Sequence, residues 1–474
     1  MSTSLFVCGE RVADLGRFSR RAVLAGVAAL LAACAGGPPA VVSQGPPPPI
    51  VFVHGNGATA ALWLTTIWRF ESNGWPTTRL HAIDLPYPLA RDADDKPQPG
   101  RTSTAEYQHF LAAEVDRVLA ATGARQVVLM ANSRGGYAVR SFIANGGATK
   151  VSHAILGGVP NHGVWANPSF RPTNEFNGAG PLLTALNNQG EPGVELTKGP
   201  KWMTIRSDAN DKYAQPDGAW IGAKGTPTNV TVAGPELRGA DNVVIPGIDH
   251  HETAFGPQAF AAAYRFITGS APRSTDVTPQ PEVALSGLVS GLGLGDNPTQ
   301  GSFVTNLPLA GATLEVFAVD ATTGERRGEA LWRQSIGADG RWGPLAVSSR
   351  TPLEFIVAAP GYAQTHIYRS PFLRSSQVVN LRAAVLTDAD RKAGAVVQLT
   401  RPRGYFGLPR NHVMLDGQDP APGLVPGVAG VSTATVRLPP GTPRAVPAEF
   451  DGERIVGRSW PVADNHLVQL ELHQ

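Results

Sequence analysis

The sequence predicts an α/β domain built on a mostly parallel sheet, followed by one or two small β-sandwich domains. Three observations lead there. Between residues 50 and 268, short apolar runs alternate with longer stretches of helical periodicity, an order that lays parallel strands side by side beneath helices. Within that region Ala131-Asn132-Ser133-Arg134-Gly135 sets a serine at a sharp turn from a buried strand into a helix. From Leu285 onward the apolar period shortens to two, and turn signals such as Thr323-Gly324, Asp339-Gly340 and Pro360-Gly361 separate the runs.

With 474 residues the chain can build two or three domains, each with its own core. Its 53 glycines and 41 prolines favour turns and β-rich structure over long helical bundles. The net charge is +2. Arg11, Arg17, Arg20 and Arg21 against Glu10 and Asp14 already supply +2, so the remainder is near neutral and no nucleic-acid partner is expected.

Residues 1–34 read as an export signal. Ser19-Arg20-Arg21-Ala22-Val23-Leu24, followed by the weakly apolar run 25–33, resembles a twin-arginine signal and is too short to span a membrane. Leu31-Ala32-Ala33-Cys34 resembles the lipobox of bacterial lipoproteins, in which the cysteine is diacylated and becomes the new N-terminus. That resemblance implies an extracytoplasmic protein, either an outer-membrane lipoprotein tethered through Cys34 or a secreted one. The plainer alternative is a small-residue cleavage site with an incidental cysteine. With Cys8 removed and Cys34 lipidated, no internal disulfide forms. Residues 35–49, rich in Pro and Gly, make a stiff tether.

The first domain covers residues 50–269. Strands are expected at 50–53, 78–83, 127–130, 151–156, 203–206 and 242–245, and helices at 60–70, 104–121, 136–143 and 258–268. Residues 163–201 lack periodicity and are long for a connection, so a lid, a binding loop or a poorly ordered insertion is expected there. Residues 270–283 are a linker. A β-sandwich is expected at 284–392 and a second β-rich domain at 393–474.

A serine hydroxyl is a weak nucleophile near neutral pH, so Ser133 needs a base within hydrogen-bond reach and an acid to orient that base. In the α/β-hydrolase layout, which this strand–turn–helix site resembles, they follow in the order serine, acid, histidine. Asp211, in the loop after the strand ending at Arg206, is the expected acid and Asp208 the alternative. His250 is the expected base, with His251 the alternative, because both fall between the last strand and the last helix. His54-Gly55-Asn56-Gly57 closes the first core strand. Its glycine-bracketed turn can aim the backbone N–H of Asn56 at a developing oxyanion, and the N–H of Arg134 supplies the second donor. His54 precedes that turn and is read as a brace for the loop. No cofactor is called for, and no cluster has metal-ligand spacing.

These motifs, with Gly158-Val159-Pro160-Asn161-His162-Gly163, resemble the α/β-hydrolase superfamily and, within it, bacterial lipases and esterases with C-terminal β-domains. The resemblance implies hydrolysis of a carboxylic ester, lipid or otherwise hydrophobic, through an acyl-enzyme. Ala131 replaces the usual first glycine. Arg134 departs from the usual small or apolar residue, and either guides a polar or acidic substrate or pairs with a neighbour. Trp63, Trp68, Phe70 and Trp75 either line an acyl pocket or fill the core. Two other readings stand beside this one. In the first, the enzyme cleaves a polyester or an acylated polysaccharide, and the β-domains bind it through exposed aromatics such as Trp332, Trp342, Tyr362, Tyr368 and Trp460. Removal of residues 284–474 would then spare hydrolysis of a soluble short ester. The second is a non-catalytic adhesion or scaffold protein.

Overall fold

The apolar run Ile50–Val53 is buried at every position, as a parallel strand covered on both faces must be. It is β1 of a six-stranded parallel sheet with β2 (Leu80–Ala82), β3 (Val127–Asn132), β4 (Val151–Gly157), β5 (Lys201–Arg206) and β6 (Asp241–Val244), in the order β2-β1-β3-β4-β5-β6. The computed structural model describes residues 45–208, 211–214, 225, 228–294, 302–427 and 429–474. The twin-arginine run and Cys34 lie outside the described residues.

Alternation along β1 assigns its side chains to two cores. Val51 and Val53 face the helices α2 (Thr104–Thr122) and α3 (Gly135–Ala144), meeting Tyr107, Leu111, Val115 and Tyr137. Ser103 starts α2 with a reciprocal capping box to Glu106, and Gly123, at φ 65°, ends it. Ile50 and Phe52 face the other side, toward α1 (Leu64–Ser72) and α6 (Pro257–Thr268). Two further α-helices among the described residues are short: α4 (Pro181–Leu186), within the aperiodic segment, and α5 (Glu252–Phe255).

The second core does not stop at the α/β domain's edge. Trp63, Trp68 and Phe70 belong to one apolar cluster with Val283, Leu285, Trp342, Phe355 and Phe372 from beyond the linker. Trp68 packs edge-on against Phe372 and His473, and its Nε1 donates to the carbonyl of Ser375 at 3.0 Å. Asn306 donates to the carbonyls of Ala58 and Leu85, both at 2.9 Å. The tryptophans of the first helical region are therefore core, and α1 is roofed by β-structure where a lone α/β domain would meet water.

After the linker, strands from 284–392 and from 393–474 are hydrogen-bonded into one seven-stranded sheet. Its order is Trp332–Ser335, Thr313–Ala318, Leu353–Ala358, Gln364–Arg369, His466–Glu471, Ala395–Thr400, Thr433–Leu438. The join is the last strand, His466–Glu471, which lies parallel to both Gln364–Arg369 and Ala395–Thr400. Two three-stranded sheets share its cores, Leu285 and Trp342 clustering with Phe355, and Val446 and Ala448 with Val397. The aromatics that a polymer-binding role would need exposed belong instead to the cores. Trp342 and Tyr368 are buried, and Trp332, Tyr362 and Trp460 are half-buried against the cores. Trp342 also donates its indole N–H to the carbonyl of Val379.

Because one apolar cluster crosses the linker, urea unfolding of the whole chain should give a single transition, and Trp68→Ala should lower its free energy by about 3–5 kcal/mol. Two separate transitions, with the mutation moving only one, would show that the halves are independent.

Candidate active site

The strand-to-helix turn after β3 places Ser133 at φ 50°, a left-handed conformation uncommon for a residue with a side chain. Its neighbours must be small for that turn to close. A β-carbon on Gly135 would stand 2.5 Å from the carbonyl oxygen of His54, and one on Gly136 would stand 2.3 Å from Val159. The loop after β1 packs equally closely, since a β-carbon on Gly55 would lie 3.0 Å from that of Ser133. The serine's own N–H donates to the carbonyl of Gly157 at 2.9 Å, which ties the elbow to the end of β4.

His54 braces this loop. Its Nδ1 donates to the carbonyl of Gly55 at 2.9 Å, and its Nε2 accepts the N–H of Leu85 at 3.1 Å. Both ring nitrogens are engaged, and burial pushes the imidazole below its ordinary range. The adjacent Asn56 is oriented by its side chain, whose Oδ1 accepts the N–H of Ala90 at 2.8 Å. The backbone N–H groups of Asn56 and Arg134 have no acceptor among the described residues.

His250 and Asp211 meet across the loops that follow β6 and β5. His250 Nδ1 donates to Asp211 Oδ2 at 2.8 Å, and both side chains are buried. The other oxygen of Asp211 accepts the N–H of Tyr213 at 2.9 Å, and the Tyr213 ring packs edge-on against His250. His250 Nε2 is buried and has no hydrogen-bond partner among the described residues. Ser133 and His250 line the same cavity of about 180 Å³. The alternatives are placed elsewhere. Asp208 accepts the N–H of Gly247 at 3.1 Å, tying the two loops together, while His251 packs on Tyr405 outside the cavity lining.

The side chain of Arg134 points away from the cavity and is fully buried. It donates to both oxygens of Glu175, at 2.5 and 3.1 Å, and to the carbonyls of Thr102 and Pro88. Pairing with a neighbour is thus the role the structure gives it. Glu175 in turn accepts from Thr104 Oγ1 at 2.8 Å. This one cation therefore pins the start of α2 and the segment after β4 to the residue beside Ser133. Residues 163–201 are folded against the elbow, and Val164, Trp165 and Phe176 form one wall of the cavity. Glu175 escaped the reading of the sequence because nothing local marks a lone glutamate in an aperiodic segment.

Comparison with known proteins agrees with the fold. The model of the alpha/beta hydrolase family matches residues 50–275, and that of the lipase C-terminal domain matches residues 281–385. A non-heme haloperoxidase of Rhodococcus erythropolis is 29% identical over 149 residues, 30% of this chain. This chain spans about half the length of that curated relative, 53%. Among solved structures, a lipase of Bacillus licheniformis in its mature form is 21% identical and superposes with a TM-score of 0.35 over 49% of this chain and 96% of its own. A carboxylesterase of Bacillus subtilis is 14% identical, with a TM-score of 0.28 over 48% of this chain and 86% of its own.

Two outcomes are expected from the charges beside the elbow. Glu175→Ala leaves the guanidinium of Arg134 buried without its anion and should cost about 3–5 kcal/mol in chemical denaturation; a loss under about 1 kcal/mol would mean that water reaches it. Burial, with Glu175 nearby, pushes Asp94 up to about 6. A carboxyl raised in the fold stabilises below its unfolded value, and that contribution is lost as pH rises through about 6. Asp94→Asn, which can still accept the N–H of Thr104, should therefore leave stability unchanged near pH 4 and raise it near pH 8. Equal stability of the two proteins at pH 8 would contradict this assignment.

Proposed function

The chain is an α/β hydrolase with a lipase C-terminal domain, and from that premise we propose that it hydrolyses carboxylic esters through an acyl-enzyme on Ser133. One observation supports this most. The His250 imidazole is oriented through Nδ1 by a buried carboxylate, while its Nε2 has no partner among the described residues and lies at the cavity that also holds a serine on a strained turn.

In this reading Ser133 Oγ attacks the ester carbonyl as its proton passes to His250 Nε2. Asp211 keeps the imidazole in the right tautomer and balances the imidazolium. The tetrahedral oxyanion accepts hydrogen bonds from the backbone N–H groups of Asn56 and Arg134, donors held in place before the reaction and therefore cheap to use. His250 then returns the proton to the leaving alcohol. Water, deprotonated by the same histidine, frees the acyl group in the second half-reaction.

The cavity bears on the substrate. At about 180 Å³ it is below the roughly 300–1,000 Å³ usual for sites that enclose a drug-sized ligand. Val164, Trp165, Phe176 and Val230 make part of the wall apolar, and Arg91 and Arg171 also line it. A short acyl ester fits this space better than a long one. Export by the twin-arginine route, lipidation at Cys34 and the resulting extracytoplasmic location belong to the same proposal and rest on residues 19–34.

Hydrolysis of p-nitrophenyl esters should peak at short acyl chains, and Ser133→Ala should lower kcat by about 10⁴-fold or more at unchanged fold. Residual activity within tenfold of wild type would remove Ser133 from the mechanism. An optimum at long chains would show that the wall formed by 163–201 moves to admit substrate.

A further inference from the structure

The loop that carries His250 is held from the far end of the chain. Asp249, directly before the histidine, is fully buried and uses both carboxylate oxygens. Oδ1 accepts the N–H groups of His251 at 2.7 Å and Glu252 at 2.8 Å, which starts α5. Oδ2 accepts Arg401 Nη1 at 2.7 Å and the N–H of Tyr405 at 2.8 Å. Arg401 also reaches Glu252 Oε1 at 2.6 Å through Nη2. Arg410 adds Glu252 Oε2 at 2.6 Å and the carbonyl of Gly247 at 2.5 Å. The guanidinium of Arg401 is fixed by the carbonyls of Tyr405 and Gln474.

Charge and geometry act together here. A carboxylate next to the base, left uncompensated, would favour the imidazolium and compete with Asp211 for it. Burial pushes the Asp249 carboxyl up, and Arg401 works against that. Burial would also raise Glu252, but Arg401 and Arg410 outweigh it and hold that carboxyl below its ordinary range. Among the described residues, the other titratable groups against His250 are Asp211 and Tyr213 on the loop after β5 and His251 on its own loop, with the Lys212 ammonium over the Tyr213 ring. The fork of Arg401 spans both acids, which a lysine ammonium on a flexible stem cannot reproduce.

We infer that Arg401 is a positioning residue for the base: it neutralises Asp249 and locks residues 247–252, so that the C-terminal segment completes the active site instead of serving as an appended binding module. This rests on the reading of Ser133, Asp211 and His250 given above. It also reverses the expectation that removing residues 284–474 would spare hydrolysis of a soluble ester.

The test compares wild type with Arg401→Met, Arg401→Lys and, as a control for loosening the seam between the two parts of the chain, Arg374→Met. Arg374 pairs with Glu71 at 2.9 Å, away from the histidine loop. On p-nitrophenyl butyrate, Arg401→Met should lower kcat by about tenfold or more with KM within about twofold, and should move the acid limb of the pH profile upward by roughly half a unit or more. Arg401→Lys should keep the acid limb near wild type yet lose about threefold or more in kcat. Arg374→Met should lose thermal stability while keeping both readouts. Wild-type kcat and acid limb in Arg401→Met would overturn the inference. If that variant does not fold, Arg401→Lys decides it, and a lysine variant with wild-type kcat overturns it. A wild-type protein that neither hydrolyses the ester nor is labelled at Ser133 by a fluorophosphonate would instead overturn the ester-hydrolase reading. The midpoint of His250 titration by NMR then decides the inference: an upward move in Arg401→Met supports it, and coincident midpoints overturn it.

Discussion

A serine held at φ 50° costs on the order of 1–3 kcal/mol, so the rest of the site is built around keeping it there. The sheet makes this possible. Because all six strands run parallel, the ends of β1, β3, β4, β5 and β6 open on one edge, and the loops leaving them can converge. The loop after β1 packs on the serine through Gly55, Val159 after β4 packs on Gly136, and the loops after β5 and β6 bring Asp211 to His250. Each close approach is to a position without a β-carbon, or between two polar side chains that satisfy each other.

Two buried cations, one beside Ser133 and one holding the loop of His250, do similar work. Arg134, next to Ser133, gathers Glu175 and the carbonyls of Thr102 and Pro88. Arg401, from the C-terminal segment, gathers Asp249 and Glu252 beside His250. Buried ion pairs add little net stability because desolvation offsets the attraction, but breaking one is costly, so each fixes which loops meet. Neither arginine lines the cavity. In the proposed reaction, each would act through the residue alongside.

Much of the α/β domain was legible in the sequence. The strand at 50–53 is found as Ile50–Val53, the strand at 151–156 as Val151–Gly157, and the helix at 104–121 as Thr104–Thr122. Elements that are apolar throughout, or capped by Ser103 and Gly123, declare themselves locally. The expected helix at 60–70 is instead a 3₁₀ turn, Ala60–Trp63, that leads into α1. The pairing of Asp211 with His250 was reachable because chain order restricts where a carboxylate and an imidazole can follow a serine elbow. The choice over Asp208 and His251 rests on the hydrogen bond between them, since strand ends read from pattern shift by a residue or two.

Periodicity and turn chemistry are short-range signals, and they determined what is short-range: parallel strands, the serine turn, and the β-rich half with its hairpins. The tertiary structure alone decided the rest. It put Trp68 in a core shared with Phe372, placed the last strand between two segments that read as separate domains, and paired Asp249 with Arg401. Each of these joins residues far apart in the chain, and no local pattern encodes such a contact. They form because a buried charge or a half-covered apolar face must find a partner wherever the folded chain presents one.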